Sequence, residues 1–433
     1  MSINKRNVGM FALMAVLFII VGFVQSWSLS LAILNLCLIS AIMSLGVNIQ
    51  WGYAGLLNVG VMGFAALGGL AAIIVSMPAV PAAINAGGTG ILLSVICGAI
   101  TIAAIIFTYK RMRGLSRGLT ITVVGIIGYF IARSFFDPAV EAIERTDAAL
   151  TGNLGGFGMP IIFSWLVGGL LAAGAAWLVG KIALGLRSDY LAIATLGISE
   201  IIIAFLKNED WLTRGVKNVI GLPRPVPFEV DLQKAPWFQE LSANIGISAV
   251  EFSSLFVKLC YAGLFSIVLL IILYLSEKAL NSPWGRMMRA IRDNEVAAEA
   301  MGKDVKGRHL QVFILGSAVV GIAGAMLTTL DGQFTPASYQ PLRFTFLIWV
   351  MVIVGGSGNN WGAVLGGFVI WFFWIEAEPM GLWLMETITA GMAEDSPLRE
   401  HLLKSAAHMR LMTMGLILLL VLRFTPKGLI PEK

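Results

Sequence analysis

Charge is what this sequence has least of. Only 13% of its 433 residues are Asp, Glu, Lys or Arg, where a soluble domain carries about 25%. With 58% hydrophobic residues, the composition excludes a soluble globular protein and specifies a polytopic membrane protein organised as one bundle, residues 1–433, rather than several domains. Cysteine is scarce too. Cys37, Cys97 and Cys260 all lie in apolar segments, without metal spacing or a secretory framework, and read as small buried hydrophobes. No G-x-x-x-x-G-K-[ST] run occurs, so the chain lacks a P-loop for ATP; GGSGNNWG at 355–362 is glycine-rich but has no lysine. No Ser-His-Asp arrangement, zinc spacing or carboxylate pair in a polar domain is present, which argues against an enzyme, a metal or another cofactor. The formal net charge of +5 is small and spread over loops. It reports orientation in the lipid bilayer rather than nucleic-acid binding.

Glycine, at 48 residues, is plentiful and unevenly placed. Lys5 and Arg6 precede an apolar run at 8–24, which lacks a small-x-small cleavage site and reads as a retained first helix with its N-terminus in the cytoplasm. A second span follows at 29–49. The third, 52–75, is interrupted by Gly52, Gly55, Gly60, Gly63, Gly68 and Gly69, with Asn58 in its middle. A helix so rich in glycine is either closely packed or unwound beside a cavity. Residues 91–108 return inward to the basic loop 110–118, and 119–132 forms a barely sufficient span leading to outer acids Asp137, Glu141, Glu144 and Asp147. Residues 161–179 span inward. Ser188 or Asp189 then caps a helix over 190–206 that places Glu200 near mid-membrane. A carboxylate there either fixes packing through a partner or lines a translocation path.

Residues 207–254, with four prolines and mixed charge, read as an external loop. Spans at 255–275 and 310–330 flank a charged insert. The segment 344–354 breaks at Gly355, Gly356 and Gly358 and resumes at 361–375, a second glycine break paired with the first. Residues 380–404 read as an amphipathic helix at the outer interface. His401 and His408 share one face there, too few ligands for a metal. With a last span at 411–422 and both termini inside, the count is even, and twelve is expected.

The charged insert, 278–309, is the most informative stretch. Arg286, Arg289 and Arg292 recur every three residues along one helical face. Asp293, Asn294 and Glu295 suit a helix start, Ala297 and Ala298 leave one side small, and Gly302 suits a C-cap. Such a segment either docks into another protein or merely sets topology.

The run SPWGRMMRAIRDNEVAAEAMG resembles the cytoplasmic coupling loop of ABC importer permeases of the branched-chain amino acid (LivM-type) family. WGYAGLLNVG at 51–60, RSDYLAIATLGISE at 187–200, GLPRP at 221–225, VGGSG at 354–358 and RFTPKGLI at 423–430 resemble further family segments in family order. The likeness covers most of the chain except about 85–160, where an extra hairpin departs from the common short form, and 375–410. It implies an all-α bundle of about 10–12 transmembrane helices with broken, glycine-rich segments, in a bacterial inner membrane. It also implies a second related permease chain, two ATP-binding cassette ATPases that hydrolyse the ATP, and a periplasmic solute-binding protein. Leucine, isoleucine and valine are the family's usual cargo, with other amino acids, urea and short amides among relatives. On this resemblance Arg289, Arg292, Asp293, Glu295, Ala297, Ala298 and Gly302 form the lever seated in the ATPase, while Gly52, Tyr53, Gly55, Asn58, Glu200, Gly355, Gly356 and Gly358 border the translocation path. Two other classes are compatible with the composition: an ion-driven secondary transporter and a membrane scaffold. The first normally carries more ionisable residues within its spans, and the second needs neither glycine breaks nor a docking loop.

Overall fold

A computed structural model describes residues 5–146, 152–393 and 396–432. Its helices are α1 (Lys5–Val24), α2 (Trp27–Ala54), α3 (Val61–Ser76), α4 (Thr89–Arg111), α5 (Leu115–Arg145), α6 (Ile162–Ala183), α7 (Ser188–Asn208) and α8 (Ala249–Leu280). There follow the short α9 (Pro283–Asp293) and α10 (Glu295–Ala300), then α11 (Val305–Asp331), α12 (Pro341–Gly355), α13 (Asn360–Thr389), α14 (Pro397–Ser405) and α15 (Met409–Phe424). Among the described residues ten helices are long and apolar enough to cross a membrane, counting 397–424 as one, and α3 and α12 are shorter apolar helices. The chain is an all-α polytopic membrane protein. Short side chains set the helix starts: Ser26, Ser248, Ser282, Asn294, Asp304 and Asn359 each accept a backbone N–H from the first turn of the helix they precede.

α11 is the axis of the bundle, packed against α6, α3 and α2. Small residues make this possible. A Cβ added at Gly68 of α3 would overlap the carbonyl oxygen of Gly321 on α11, so the two backbones touch. At the end of the bundle far from α9 and α10, two-residue strands β1 (Val219–Ile220) and β2 (Gln333–Phe334) pair antiparallel, Val219 opposite Phe334. They tie the polar 207–254 region to the end of α11.

α4 and α5 form a hairpin whose two helices pack on each other. Beyond that they meet the bundle near one end, where Phe136 stands edge-on to Trp211 at 5.8 Å and Ile143 and Ala139 cluster with Ala83. Most of the hairpin's large apolar side chains are exposed, as suits contact with lipid.

Several boundaries differ from expectation. The third span does not begin at Gly52: Gly52 and Tyr53 belong to α2, which runs to Ala54, and only α3 follows the break. The marginal span at 119–132 is part of a 31-residue helix, because Arg133 pairs with Asp137 at 3.0 Å and Arg145 with Glu141, each one turn apart, and these pairs carry the helix past its apolar stretch. Asp137, Glu141 and Glu144 are therefore helical, while Asp147 lies outside the described residues. Neither Ser188 nor Asp189 caps α7; both lie in its first turn after Arg187, which makes no side-chain cap. Residues 380–389 continue α13 through Pro379 instead of forming a separate interfacial helix.

Candidate functional site

The charged insert folds as two short helices, α9 with one face buried and α10 exposed except at Ala298. Ser282 caps α9 with Pro283 at its first position, and Met288 and Ile291 turn inward while Arg286 and Asp293 face out. Asn294 separates the helices, its side chain accepting from the Ala297 N–H at 3.0 Å. α10 then ends at Gly302, whose φ of 76° and N–H to the Glu299 carbonyl close the turn. Within α10 only Ala298 is buried, against its own chain. Glu295, Val296, Ala297 and Ala300 face out, with Met301 just beyond, so the outward small and apolar surface is formed by Val296, Ala297, Ala300 and Met301.

Behind this pair lie both glycine breaks. α2 ends in Gly55 at φ 69°, and residues 55–60 run without helix. Asn58 holds this stretch: its Nδ2 donates to Gln50 at 2.9 Å, its Oδ1 accepts from the Gly60 N–H at 2.8 Å, and its carbonyl accepts from the Trp349 indole at 3.0 Å. Gln50 in turn donates to the Phe313 carbonyl and to Ser317, each at 3.0 Å. The second break follows α12, with Gly356 and Gly358 at φ 117° and 81° and Asn359 capping α13 through the Trp361 N–H at 3.0 Å.

The two breaks touch. A Cβ on Gly52 would stand 2.5 Å from the Gly358 nitrogen, and that N–H donates to Asn48 of α2 at 2.8 Å. Asn360 gathers the rest: its Oδ1 accepts from Asn48 at 3.1 Å and from the Tyr53 hydroxyl, and its Nδ2 donates to Glu277 at 3.0 Å. Glu277 lies in the last turn of α8, immediately before the insert. Arg292 of α9 completes the junction, donating to the Gly52 carbonyl and pairing with Glu432 at 2.9 Å. Arg286, Arg289, Arg292, Ser357, Lys427 and Glu432 are among the residues lining an open cleft of about 820 Å³ beside it.

The expected site residues thus fall into two places. Gly52, Tyr53, Gly55, Gly355, Gly356 and Gly358 gather around Arg292 and segment 425–432 behind α9, while Asn58 pins the far side of the first break through Gln50 and Trp349. Glu200 does not join them. On α7 it is Thr195 that covers the first break, accepting from the Val59 N–H at 3.0 Å, and Ser199 that meets Gly63 of α3, whereas Glu200 shares the exposed face with Ile193, Gly197 and Ile201. Among the described residues no hydrogen bond or ion pair reaches it. Asn48, Gln50, Glu277, Asn360 and Glu432 were not anticipated. The polar pair Asn48 and Gln50 inside an apolar run was their one visible signal, since buried amides need partners.

The comparisons agree with this architecture. A family model described as "Branched-chain amino acid transport system / permease component" matches residues 147–422. The chain is 28% identical over 207 residues to the high-affinity branched-chain amino acid transport system permease protein LivM of Escherichia coli, covering 47% of this chain and 48% of that one. It is 27% identical over 401 residues to the probable branched-chain amino acid transport permease protein LivM of Methanocaldococcus jannaschii, covering 90% of each. The D-allose transport system permease protein AlsC of Escherichia coli is 24% identical over 270 residues, 58% of this chain and 70% of that one. The chain therefore spans about half the length of its enterobacterial LivM relatives and nine-tenths of the archaeal one. No solved structure matches. The match over 147–422 takes in α8, α9, α12, the second break and α13 but not the end of α2, the first break at 55–60 or segment 425–432, and on it the chain belongs to the family of branched-chain amino acid transport system permease components.

Proposed function

We propose that this chain is the permease subunit of an ATP-binding cassette importer of the bacterial inner membrane, passing leucine, isoleucine or valine delivered by a periplasmic binding protein. The observation that carries the reading is that α9, the first helix of the exposed pair α9 and α10, is joined through Arg292 to two broken segments that touch each other. In this reading α9 and α10 and both termini are cytoplasmic, as the basic loop 110–118 favours. Two ATPase subunits, one on this chain and one on a second related permease, supply the hydrolysis that this chain does not perform.

Val296, Ala297, Ala300 and Met301 give the ATPase an apolar seat without bulk, and Asp293, Glu295 and Arg289 set its register. As the ATPases close and open, α9 moves with them and biases the breaks between two arrangements. Glu200 faces the second permease chain across the translocation path. A lone carboxylate against hydrocarbon costs about 3 kcal/mol on insertion scales, which favours a hydrated or protein-lined setting for this face.

The test is co-purification followed by uptake. The tagged chain, gently solubilised, is expected to bring down P-loop ATPases and a second permease. Cells carrying the assembled system are expected to take up labelled leucine in competition with isoleucine and valine. Recovery of the chain alone, with uptake dissipated by an ionophore, would replace this reading with an ion-driven transporter. The likeness to a D-allose permease gives sugars a specific claim as cargo, so D-allose and xylose belong among the competitors, together with urea and short amides.

A further inference from the structure

Residues 425–432 lie in neither docking helix nor break, yet they contact both. Resting on the reading above, we infer that this segment is a strut joining the coupling helix α9 to the two breaks, with Arg292 and Glu432 as its positioning pair. The Leu429 N–H donates to the Val354 carbonyl at 2.8 Å and the Ile430 N–H to the Gly355 carbonyl at 2.9 Å. These are carbonyls at the end of α12, where a helix has no further turn to satisfy them. The Asn359 side chain, which caps α13, donates to the Pro431 carbonyl at 3.0 Å. One short segment, turning at Gly428, thus holds the end of one helix and the start of the next across the gap that Gly356 and Gly358 open.

The stretch then reaches Glu432, whose carboxylate pairs with Arg292 at 2.9 Å while the same guanidinium nitrogen donates to the Gly52 carbonyl. Both side chains are about three-quarters covered, at 25% and 28% exposure, so the pair is shielded from solvent more than a surface ion pair is. Gly358 leaves room for it: a Cβ there would stand 2.6 Å from the Glu432 carboxylate and 3.1 Å from the Arg292 guanidinium. A displacement of α9 consequently pulls on Gly52 through one bond and on the second break through Glu432. Without Glu432, Arg292 still reaches Gly52, but the link from α9 through segment 425–432 to the second break is lost.

The experiment has two arms on the full-length chain. In the first, hydrogen exchange of the purified chain is compared with Glu432→Ala and Glu432→Asp. The strut requires faster exchange at the Leu429, Ile430 and Gly358 amides in the alanine variant and recovery in the aspartate variant, and it requires no ATPase partner. In the second, the assembled importer is reconstituted and solute moved is measured against ATP hydrolysed. The alanine variant is expected to lose uptake by about twofold to thirtyfold, the range of mutational effects on coupling, while hydrolysis persists, and the aspartate variant to restore part of it. Unchanged exchange overturns the strut. Uptake and hydrolysis falling together in a stably assembled complex overturn the positioning role and leave a structural one. If the wild-type chain assembles with no ATPase, the functional reading fails instead, and the exchange arm still decides whether the strut exists.

Discussion

The junction behind α9 and the α4–α5 hairpin are both helical and apolar, and both are rich in glycine, yet they are built in opposite ways. At the junction every element is tied to at least two others, through Asn360, Asn58 and Arg292, and glycine is there because backbone meets backbone. In the hairpin Gly98, Gly114 and Gly118 face open space, and the helices hold chiefly to each other. In a membrane, where burying apolar surface against protein gains little over lipid, close packing and buried hydrogen bonds decide which regions are rigid. The hairpin is hydrophobic without being locked; the junction is locked by atoms that hydropathy does not count.

Substitution of matched glycines breaks the comparison most directly. Gly68→Val must push α3 off α11 and is expected to cost about 3 kcal/mol, a large part of any domain's margin, with most of the chain lost from the folded fraction on heating in detergent. Gly98→Val in the hairpin has nothing within 4 Å to strike and should melt with the wild type. Equal losses at both positions would mean that the hairpin is packed against something in the membrane.

Next in size is Asn360→Leu, which leaves the Asn48 Nδ2 without its acceptor and takes one partner each from Tyr53 and Glu277, Tyr53 keeping the Ser276 carbonyl at 3.3 Å. Unpaired buried partners cost about 1–3 kcal/mol each before relaxation, so denaturant unfolding should shift well below the wild type. A double-mutant cycle with Asn48→Ala should show strong coupling. Additive losses would disprove the network.

The proposed docking surface separates more finely. Ala297→Trp, on the outer face, should leave stability unchanged while abolishing ATPase capture and uptake. Ala298→Trp points into its own bundle and should destabilise the chain by about 1–3 kcal/mol through overpacking, so lost uptake in that variant does not report on docking. Smallest of all is Glu200→Gln, which should keep the isolated chain within about 0.5 kcal/mol of wild type yet reduce uptake. A clear stability loss in the isolated chain would give Glu200 a partner within this chain and remove it from the translocation path.

How much of this was legible beforehand follows from the same contrast. The long apolar runs gave α1, α2, α6, α8 and α11, and a polar insert at 278–309 between two of them had to leave the membrane. Hydropathy failed where charge continues a helix, as at Arg133 and Asp137, and at Pro379, which sounds like a stop but lies inside α13. The glycines of both breaks were visible; their contact was not, because Gly52 and Gly358 are brought together only by the tertiary fold. Asn48 finds Asn360 across a separation of 312 residues, and no local pattern encodes such a partner. Glu200 lies in α7, a helix apolar enough to cross a membrane, but a single sequence cannot say which side of that helix is covered. The spacing also suggested two equivalent alanines at 297 and 298, whereas adjacent helical positions stand about 100° apart and face different surroundings.

The contact of Gly68 with Gly321 has a mechanical consequence. Helices whose main chains touch cannot shear or swivel past one another without first separating, so α3, α6 and α11 form a keel that travels as one rigid piece. Motion in this protein is then a matter of what tilts against the keel, and distances measured among those three helices should read the same in every state of the transport cycle.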